Sequence, residues 1–486
     1  MELEQITRGL RDAGLVVEPT TDSPAITGVT DDSRAVSKGN LFCAVQGTRL
    51  DGHDYLEDAV RRGAAAALVA RRCEIALPQV VVSDSRAAAT RAAQEWYGHP
   101  AQHLKMIGVT GTNGKSTTVA LVRHVLNATS SVGSIGTVGV IDGAGNRLGG
   151  YHALTTPGAV ELQSILAELL ERQVSTVAME ISSHGLDQGR VAAISFHAAA
   201  YTNLTHEHLD YHTDMDAYGA AKMKLSGHVR EGGVEVLNAD DPAWVRLPVR
   251  ADVRRVTYGH RSSATVTAEK IRYDSAGSES IFHFGGDAYP VKLPLLGDYN
   301  VSNALAAAAT AWGLGVEPRA IVERLSSSPQ VPGRMELLES GRFTVLRDYA
   351  HTPDGFERAL AAIRRITPGR VFLLFGAGGD RDPTKRAVMG RIASRDADIV
   401  IITSDNPRTE DPESILDQIE SGMCRPADVR LVDREDAIRK AISMLRDGDC
   451  LLLAGKGPET YQIVGDTKFA FDEPSLVRAS VRERGC

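Results

Sequence analysis

Residues 106–117 read MIGVTGTNGKST, an apolar run that turns through two glycines into Lys115 and Ser116. The apolar start at Met106–Val109 predicts a buried β-strand, and Thr117–Leu126 carries a helical pattern. Glycines let backbone amides turn inward on phosphate oxygens, and a helix N-terminus adds positive potential. The stretch therefore predicts a strand, a phosphate-binding loop and a helix that together hold a nucleotide.

One position departs from the strict phosphate-loop motif. The motif places glycine five residues before Gly114, and Val109 stands there instead. We expect the strand–loop–helix context to compensate; the alternative is an ordinary glycine turn. In a phosphate loop, Lys115 would reach the terminal phosphates, and the hydroxyl of Ser116 or Thr117 would bind Mg²⁺.

Length and composition limit the class of protein. At roughly 150 residues per domain, 486 residues predict about three domains. The 43% hydrophobic and 24% charged residues are typical of a globular protein. A net charge of -8 argues against a partner that is nucleic acid or a membrane surface. The 5 cysteines form no CxxC pair, so the sequence suggests neither a disulfide framework nor a cysteine zinc site.

The start of the chain bears on location. Residues Met1–Leu10 alternate charged and apolar side chains and lack the apolar core of a signal peptide. No apolar run approaches the ~20 residues that cross a bilayer. We therefore expect a cytoplasmic protein without membrane insertion.

The order of apolar runs predicts the architecture. Strand-like runs alternate with helical patterns, which is typical of an α/β fold with parallel sheets covered on both faces. Turn-rich segments at 98–100 and 329–332 mark the boundaries. We predict three domains: residues 1–102, a central P-loop parallel-sheet ATPase domain at 103–331, and a Rossmann-like α/β domain at 332–486.

Two segments near the phosphate loop are candidates for metal binding. Glu180 ends a buried strand, at the carboxyl edge where open sheets bind ligands, although such acids also cap neighbouring loops. The segment 203–212 is rich in histidine, which could indicate zinc, phosphate positioning or a solvated loop. Because Mg²⁺ prefers oxygen, at most one of these histidines should join its shell. Lys222 follows on a predicted helix. A helical lysine is usually a solvated surface group, so spacing alone assigns Lys222 no role.

Motifs along nearly the whole chain resemble those of the Mur ligases. They are Thr110–Thr117, Met179–Leu186, Asn203–His212, Leu296–Ala304, Pro332–Glu336 and Asp348–Pro353. The first region, with Asp32-Ser33-Arg34 and Asn40-Leu41-Phe42, and the segment Ser182–Arg190 are similar to the family member that adds the third residue of the peptide.

The resemblance implies an activity. ATP and Mg²⁺ would be the cofactors, and the γ-phosphoryl group would pass to the D-glutamyl carboxylate of UDP-N-acetylmuramoyl-L-alanyl-D-glutamate. The amine of meso-diaminopimelate would attack the resulting acyl phosphate, in peptidoglycan synthesis. Domain 1–102 would bind the UDP-muramoyl end, 103–331 would bind ATP, and 332–486 would bind the amino acid. We expect a monomer whose domains close over the site.

The resemblance also implies roles for single residues. Lys115, Lys222 and His208 would be catalytic, with Lys222 carbamylated, which turns an ammonium into a carboxylate. The metal site would consist of Ser116, Thr117, Glu180, His208 and Lys222. The nucleotide would contact Thr110, Gly111, Thr112, Asn113, Gly114, Lys115, Ser116, Thr117, Asn300, Asn303, Arg334, Asp348 and His351. The UDP-sugar peptide would contact Ser33, Thr48, Arg49, Leu50, Thr155, Thr156, Ser182, Gln188 and Arg190.

The choice of amino acid would lie in the third region. Asp405, Asn406, Pro407 and Arg408 follow a strand and are similar to the family's diaminopimelate signature, whereas lysine-adding relatives lack the arginine. A guanidinium binds the distal carboxylate of diaminopimelate with a fork of donors. The other residues that match this pocket are Arg381, Gly455 and Glu459. Pro458 departs from the pattern, since relatives usually have histidine there, and a solvated arginine after an Asx-Pro turn is the alternative reading.

Other functions remain open at this point. A lysine-adding enzyme or the D-alanyl-D-alanine-adding ligase shares the motifs, and folylpolyglutamate synthetase shares the central ones but should lack the first region. From another class, a P-loop ATPase could drive conformational work in a partner. Phosphate release that requires both the UDP-sugar peptide and an amino acid would separate a ligase from such an ATPase.

Overall fold

The computed structural model describes residues 1–47, 50–151, 154–209, 211–260 and 263–485. Three larger sheets succeed one another along the chain, and a two-stranded hairpin accompanies the last. Each larger sheet is mainly parallel, because strands and helices alternate along most of the chain. The predicted α/β class is confirmed.

The first sheet is small and covered by helices. Its elements are α1 (Leu3–Asp12), β1 (Val16–Glu18), β2 (Gly28–Thr30), β3 (Asn40–Cys43), α2 (Leu56–Arg61), β4 (Ala66–Val69), β5 (Gln79–Val82) and α3 (Ser85–Tyr97). The strand order is β1-β5-β4-β3-β2, with β1 antiparallel to β5. Leu3, Ile6 and Leu10 fall on one face of α1, and all are fully buried against this sheet and α3.

The central sheet has eleven strands and carries the phosphate loop. Its first part contains β6 (Lys105–Thr110), α4 (Lys115–Leu126), β7 (Val132–Gly136), β8 (Gly139–Ile141), β9 (Arg147–Leu148), α5 (Ala159–Glu171), β10 (Thr176–Glu180), α6 (Ser183–Asp187), β11 (Phe196–Tyr201) and α7 (Met215–Met223). Its second part contains β12 (Val229–Asn238), β13 (Arg254–Gly259), β14 (Val266–Asp274), β15 (Gly277–Phe284), β16 (Asp287–Leu293), α8 (Tyr299–Gly313) and α9 (Pro318–Ser326).

Small side chains bring two helices of this region together. The order β16-β15-β14-β13-β12-β11-β6-β10-β7-β8-β9 places β6 between β11 and β10. Residues 304–309 of α8 are alanines and one leucine, all fully buried, so α8 packs closely on α4. This packing places the start of α8 beside the start of α4 and therefore beside the phosphate loop.

Register brings the candidate site residues to one edge of this sheet. Thr110 pairs with Tyr201 at the ends of β6 and β11, and Val109 pairs with Glu180 at the ends of β6 and β10. All three strands are parallel, so their carboxyl ends open on the same side. The loops after these strands must therefore share one site.

The third sheet repeats this arrangement. Its elements are β17 (Glu336–Glu339), β18 (Thr344–Asp348), α10 (Pro353–Ile366), β19 (Val371–Phe375), α11 (Thr384–Asp396), β20 (Ile399–Ile402), α12 (Pro412–Glu420), β21 (Val429–Arg430), α13 (Arg434–Met444), β22 (Cys450–Ala454), β23 (Tyr461–Val464), β24 (Thr467–Ala470) and α14 (Glu473–Glu483). The order is β17-β18-β22-β19-β20-β21, with only β17 antiparallel among the described strands of this sheet. The loops after β18, β19, β20 and β22 meet at its carboxyl edge.

Two features lie outside the sequence prediction. Strands β8 and β9 form an antiparallel extension of the central sheet, and β23 and β24 form a separate hairpin. These strands have only two to four residues, too few to show a periodic pattern in the sequence. The domain ranges 1–102, 103–331 and 332–486 stay a prediction. Among the described residues, the helices are all too short or too polar to cross a membrane.

Candidate functional site

The phosphate loop depends on two glycines. Gly111 and Gly114 have φ values of +142° and +83°, which side-chain-bearing residues rarely adopt. A Cβ at Gly111 would lie 1.9 Å from Thr202 Oγ1, and one at Gly114 would lie 2.2 Å from Asn303 Oδ1. The loop can therefore press against its neighbours only because both positions lack a side chain.

Lys115 begins α4 and points back into the loop. Its Nζ donates to the carbonyl oxygens of Gly111, at 2.9 Å, and Thr112, at 2.6 Å. Burial lowers the pKa of Lys115, and nearby carboxylates oppose that shift. The ammonium is partly desolvated and faces the loop, as expected of a phosphate-binding lysine.

A cavity of about 1100 Å³ opens beside the loop, between the central sheet, α8 and the start of the third sheet. Eight of the thirteen predicted nucleotide residues border it: Asn113, Gly114, Ser116, Thr117, Asn303, Arg334, Asp348 and His351. Asn300 does not border the cavity itself but lies behind Asn303. Its side chain donates to Leu296 O at 2.6 Å and accepts from Asn303 at 2.9 Å, so it orients Asn303.

Side chains from the third region reach across this cavity. Arg334 donates to Ser116 Oγ at 2.8 Å, and its guanidinium lies 4.8 Å from the centre of the Tyr349 ring. Asn113 donates to Asp354 at 3.0 Å from the other side. The cavity is thus bounded by both the central and the third region of the chain.

Asp348 lies at the end of β18 and fixes the backbone that follows. Its carboxylate accepts from the amides of Met335 and Ala350, each at 2.7 Å. Burial raises the pKa of Asp348, and the guanidinium of Arg334 opposes that shift. Because both oxygens are held by amides, Asp348 keeps one orientation toward the cavity.

Glu207 is a functional candidate that the sequence analysis did not single out. Its carboxylate is 3.8 Å from His208 Nε2 and 3.8 Å from His351 Nε2, and it also interacts with Lys115 and Lys222. Burial alone would raise the pKa of Glu207, but the two imidazoles and the two lysines hold it below its usual value. The acid beside His208, in a loop after a strand, was the signal that could have identified it.

Lys222 is buried, which corrects the interpretation of a solvated helical lysine. It is 1% exposed, donates to Gly111 O at 2.8 Å and lies 4.5 Å from the centre of the Tyr218 ring. Burial, reinforced by Lys115, lowers the pKa of Lys222 well below its usual value. A lowered pKa favours the neutral amine, which is the form that can react with carbon dioxide.

The predicted metal ligands supply mainly oxygen. Ser116 and Glu180 border one cavity of about 160 Å³. Glu180 accepts from the amide of Thr137 at 2.8 Å, and a Cβ at Gly136 would lie 2.2 Å from its carboxylate oxygen. A carboxylate and hydroxyls fit a hard cation such as Mg²⁺. The described part of the chain has no cluster of three or more His, Cys, Asp or Glu side chains suited to a metal.

The residues predicted for the muramoyl peptide meet beside Glu180. Thr156 donates to Glu180 O at 2.9 Å and accepts from the amide of Ser182, while Arg190 donates to Thr156 O at 2.7 Å and also binds Gln188. Thr155 Oγ1 is 3.3 Å from Thr137 Oγ1, which touches Glu180 in turn. All five residues thus form one polar cluster next to the candidate metal site, called the muramoyl cluster after its predicted ligand: Thr155, Thr156, Ser182, Gln188 and Arg190.

The predicted uridine site is described only in part. Ser33 begins a short 3-10 helix, and Leu50 is 65% exposed. Thr48 and Arg49 lie outside the described residues. Arg86, which the sequence analysis missed, donates to Gln46 O at 2.9 Å and Gln188 O at 3.3 Å. It therefore joins the first region to the muramoyl cluster, where burial lowers the pKa of Arg190.

The predicted amino-acid residues form a second pocket, at the edge of the third sheet. Asn406 donates to Glu459 at 2.8 Å and accepts from Lys456 at 3.0 Å. Lys456 is fully buried and also lies 3.3 Å from Asp405 and 3.6 Å from Glu459. A Cβ at Gly455, where φ is +106°, would lie 2.7 Å from Asp405. Lys456 is the buried cation that the sequence analysis overlooked.

Arg408 stands at the mouth of this pocket. Its backbone is left-handed, with φ of +51°, and its Nη1 donates to Gly379 O at 2.6 Å. Pro407 before it is buried, and Arg381 lies on the neighbouring loop with an exposed side chain. The structure thus brings both predicted substrate arginines to one side of the pocket.

Pro458, the departure from the family pattern, occupies a crowded position. It is buried, and a Cβ at Gly333 would lie 2.2 Å from the carbonyl carbon of Gly457 and 2.3 Å from Pro458 N. The loop after β22 therefore packs on the turn that leads into the third sheet. Pro458 needs no hydrogen-bond donor for this packing.

Family models and known proteins agree with this geometry. The Mur ligase family catalytic domain matches residues 25–107, the Mur ligase middle domain matches 109–311, and the Mur ligase glutamate ligase domain matches 333–457. The UDP-N-acetylmuramoyl-L-alanyl-D-glutamate--2,6-diaminopimelate ligase of Geobacillus kaustophilus (strain HTA426) is 42% identical over 473 residues, which cover 95% of this chain and 96% of that protein. The enzyme of the same name from Aquifex aeolicus (strain VF5) is 39% identical over 462 residues, covering 95% of each chain.

Solved structures give the same picture. A structure of UDP-N-acetylmuramoyl-L-alanyl-D-glutamate--2,6-diaminopimelate ligase matches with a TM-score of 0.65 and 30% identity, covering 95% of this chain and 96% of that one. MurF ligase from Thermotoga maritima, in complex with ADP, matches with a TM-score of 0.66 and 20% identity over 94% of this chain and 97% of that one. The second match concerns the fold alone.

Proposed function

Because this chain belongs to the Mur ligase family, we propose that it joins meso-diaminopimelate to UDP-N-acetylmuramoyl-L-alanyl-D-glutamate with ATP, in peptidoglycan synthesis. It is an ATP-dependent acid–amino-acid ligase. One observation carries the choice of amino acid: Arg408 stands beside the buried polar pocket that contains Asn406 and Glu459.

The nucleotide would lie in the large cavity beside the phosphate loop. The loop glycines, Lys115 and the bordering side chains Asn303 and Arg334 provide amide and cationic donors for phosphates. Asp348 and His351 border the same cavity from the third region. Closure of the two regions on ATP would also exclude water that could hydrolyse an activated carboxyl group.

Mg²⁺ is the ion that the oxygen-rich set near the loop fits. Ser116, Thr117, Glu180 and one imidazole, His208, would hold it, and a carbamate on Lys222 would add oxygen. When bound, Mg²⁺ would neutralise charge on the transferring phosphoryl group. The role of this chain's own residues is to hold Glu180 through the Thr137 amide and to keep Lys222 desolvated.

The acceptor carboxylate would lie against the muramoyl cluster. Thr156, Ser182 and Arg190 are tied to one another and to the backbone of Glu180, so a substrate bound there would be fixed next to the phosphate loop. The D-glutamyl carboxylate would attack the γ-phosphorus of ATP, releasing ADP and forming an acyl phosphate. Catalysis of such a transfer is mainly positioning and charge neutralisation, to which Lys115 contributes.

The amine donor would come from the third region. Asp405 and Glu459 carry negative charge for an ammonium group, while Arg381 and Arg408 provide guanidinium groups for a carboxylate. This combination suits the distal end of diaminopimelate, which has both groups, better than that of lysine. The other amine would attack the acyl carbon, and phosphate would leave as the amide forms.

A ligation assay tests the proposal. The purified protein would be incubated with ATP, Mg²⁺, the UDP-sugar dipeptide and, in separate reactions, meso-diaminopimelate, L-lysine or D-alanyl-D-alanine. We expect phosphate release that requires both the dipeptide and diaminopimelate, with a tripeptide product seen by mass spectrometry. A preference for lysine or D-alanyl-D-alanine would overturn the amino-acid assignment, and phosphate release without either substrate would indicate an ATPase.

The proposal extends to the state of the protein in the cell. We expect a monomer that resides in the cytoplasm, where ATP and UDP-linked sugars are available. Size-exclusion chromatography with light scattering would check the mass, for which a single chain is 52.1 kDa.

A further inference from the structure

Two neighbouring loops carry the two candidate substrate arginines. The arginine loop, residues 378–382, contains Arg381, and the specificity loop, residues 405–410, contains Arg408. Asp380 and Arg408 both have left-handed backbones, with φ of +53° and +51°. This conformation is uncommon for residues with side chains, and it occurs more often at functional sites than elsewhere. Something must therefore hold these loops in place.

The two loops are in direct contact through their backbones. The amide of Gly379 donates to Asn406 O at 2.9 Å. A Cβ at Gly379 would lie only 1.9 Å from Pro407 O, so the approach is possible only at a glycine. The spacing between the loops is thus set by close packing and leaves no room for adjustment.

A buried arginine makes hydrogen bonds to both loops and stabilises this contact. Arg386, on the first turn of α11, is 1% exposed and donates to both carboxylate oxygens of Glu410, at 2.7 and 2.9 Å. It also donates to Gly378 O at 3.0 Å and to Gln418 at 2.9 Å. A two-point guanidinium–carboxylate pair fixes orientation as well as distance. Arg386 therefore reaches the first residue of one loop and the last residue of the other.

Glu410 also binds the backbone of Asp380, one of the two residues with a left-handed conformation. Its carboxylate accepts from the amide of Asp380 at 2.6 Å, in addition to the two bonds from Arg386. On the exposed side, Thr409 Oγ1 donates to Asp380 at 2.7 Å. Asp380 is thus held from both sides, directly before Arg381.

We propose that Arg386 and Glu410 are positioning residues that set the spacing of Arg381 and Arg408, and thereby the selectivity for an amino acid with a distal carboxylate. The inference rests on the proposed function, since it concerns the same pocket. Neither residue contacts the substrate; each acts through the loops it holds. A carboxylate that must meet both guanidinium groups is sensitive to their separation, whereas lysine, without that carboxylate, is not.

The test compares variants of the clamp, which is the pair formed by Arg386 and Glu410, with a matched control. Arg386→Lys and Glu410→Gln weaken the pair, and Arg370→Lys weakens a similar pair with Asp449 at the opposite edge of the same sheet. We expect KM for diaminopimelate to rise about tenfold or more in the clamp variants, the size typical of losing a charged hydrogen bond. KM for ATP and kcat at saturating diaminopimelate should stay close to wild type, as should every constant of the Arg370→Lys control.

A surface variant keeps the test informative if the buried variants do not fold. Thr409 is exposed, so Thr409→Val removes the bond to Asp380 without opening a core cavity. It should raise KM for diaminopimelate severalfold, and Thr409→Ser, which keeps the hydroxyl, should restore it.

The outcomes separate this inference from the function on which it rests. Equal losses in all kinetic constants, or a Thr409→Val enzyme with an unchanged KM, would show that the clamp is merely structural. A wild-type enzyme that does not use diaminopimelate would instead overturn the proposed function.

Discussion

The phosphate site of the central sheet and the amino-acid pocket of the third sheet have the same architecture but differ in how their buried charges are arranged. Both lie at the carboxyl edge of parallel strands, where loops of several strands converge. At the phosphate site, cationic and imidazole groups surround the carboxylate of Glu207. In the amino-acid pocket, the carboxylates of Asp405 and Glu459 share one buried cation, Lys456.

Burial shifts pKa values at both sites, but the groups that it shifts differ. At the phosphate site, burial lowers the pKa of Lys115 and Lys222, and Glu207 opposes both shifts. In the amino-acid pocket, burial and the neighbouring Asp405 raise the pKa of Glu459, and Lys456 and Arg408 oppose that shift. Parallel sheets thus supply the place for a ligand, and the buried charges at that place select its chemistry.

The largest effect should follow from removing the charge of the phosphate loop. Lys115→Ala should lower kcat by about 100-fold to 1000-fold or more, the size typical of losing a preorganised charge at a transferring group. The fold should survive, since the side chain bonds only to loop carbonyls. Steady-state ligation and circular dichroism would measure both. Lys105→Ala, at the exposed start of β6, is the control, and near-normal turnover of Lys115→Ala would contradict the assignment.

Lys222 tests whether the phosphate site needs an added carboxylate. If carbamylated Lys222 supports Mg²⁺, Lys222→Ala should be nearly inactive, and added short carboxylic acids should partly restore ligation by supplying oxygen ligands. Mass spectrometry of the native protein in bicarbonate would detect the modification. Lys224, two residues on, pairs with Asp187 on the surface, so Lys224→Ala is the matched control. A fully active Lys222→Ala enzyme would sink the idea.

Arg408 tests whether a guanidinium of the amino-acid pocket binds the distal carboxylate of diaminopimelate. Arg408→Ala should raise KM for diaminopimelate roughly tenfold to a hundredfold, since a hydrogen bond to a charged group contributes about 1.5–3 kcal/mol. KM for ATP and for the UDP-sugar peptide should change little. Arg408→Lys should recover only part of the affinity for diaminopimelate, because a point charge cannot replace the paired donors of a guanidinium. Steady-state ligation with each amino acid measures this. Equal losses for lysine and diaminopimelate would show that Arg408 does not bind the distal carboxylate.

The smallest effect concerns stability and pH. The raised pKa of Glu459 means that its contribution to stability is present below the unfolded value, near 4.5, and is lost as pH rises through the higher folded pKa. Glu459→Gln should therefore gain stability relative to wild type as pH increases from 4 toward neutral. Denaturant unfolding of the ligand-free protein at several pH values measures the difference. Glu171→Gln, on the exposed side of α5, should show no such trend; a matching trend there would remove Glu459 as the cause.

Particular residues show how far sequence reasoning reaches into the sites. The phosphate loop was predictable because its glycines, lysine and hydroxyls are adjacent in the chain. Glu207, Lys385 and Lys456 were not singled out, because a lone acid or lysine in a loop or on a helix is usually solvated. Only the folded chain buries Lys456 completely, and only there does burial lower the pKa of Lys385 while Glu207 and Asp405 oppose that shift.

The sequence by itself determined the α/β class, the phosphate loop and the family resemblance, because periodicity and contiguous motifs are local properties of the chain. Tertiary structure alone decided which charges share a site. Arg334 meets Ser116 across 218 positions, and Glu207 meets His351 across a boundary between sheets. Such pairings depend on strand order, register and helix packing, and their energies depend on the water that burial removes, which no local pattern encodes.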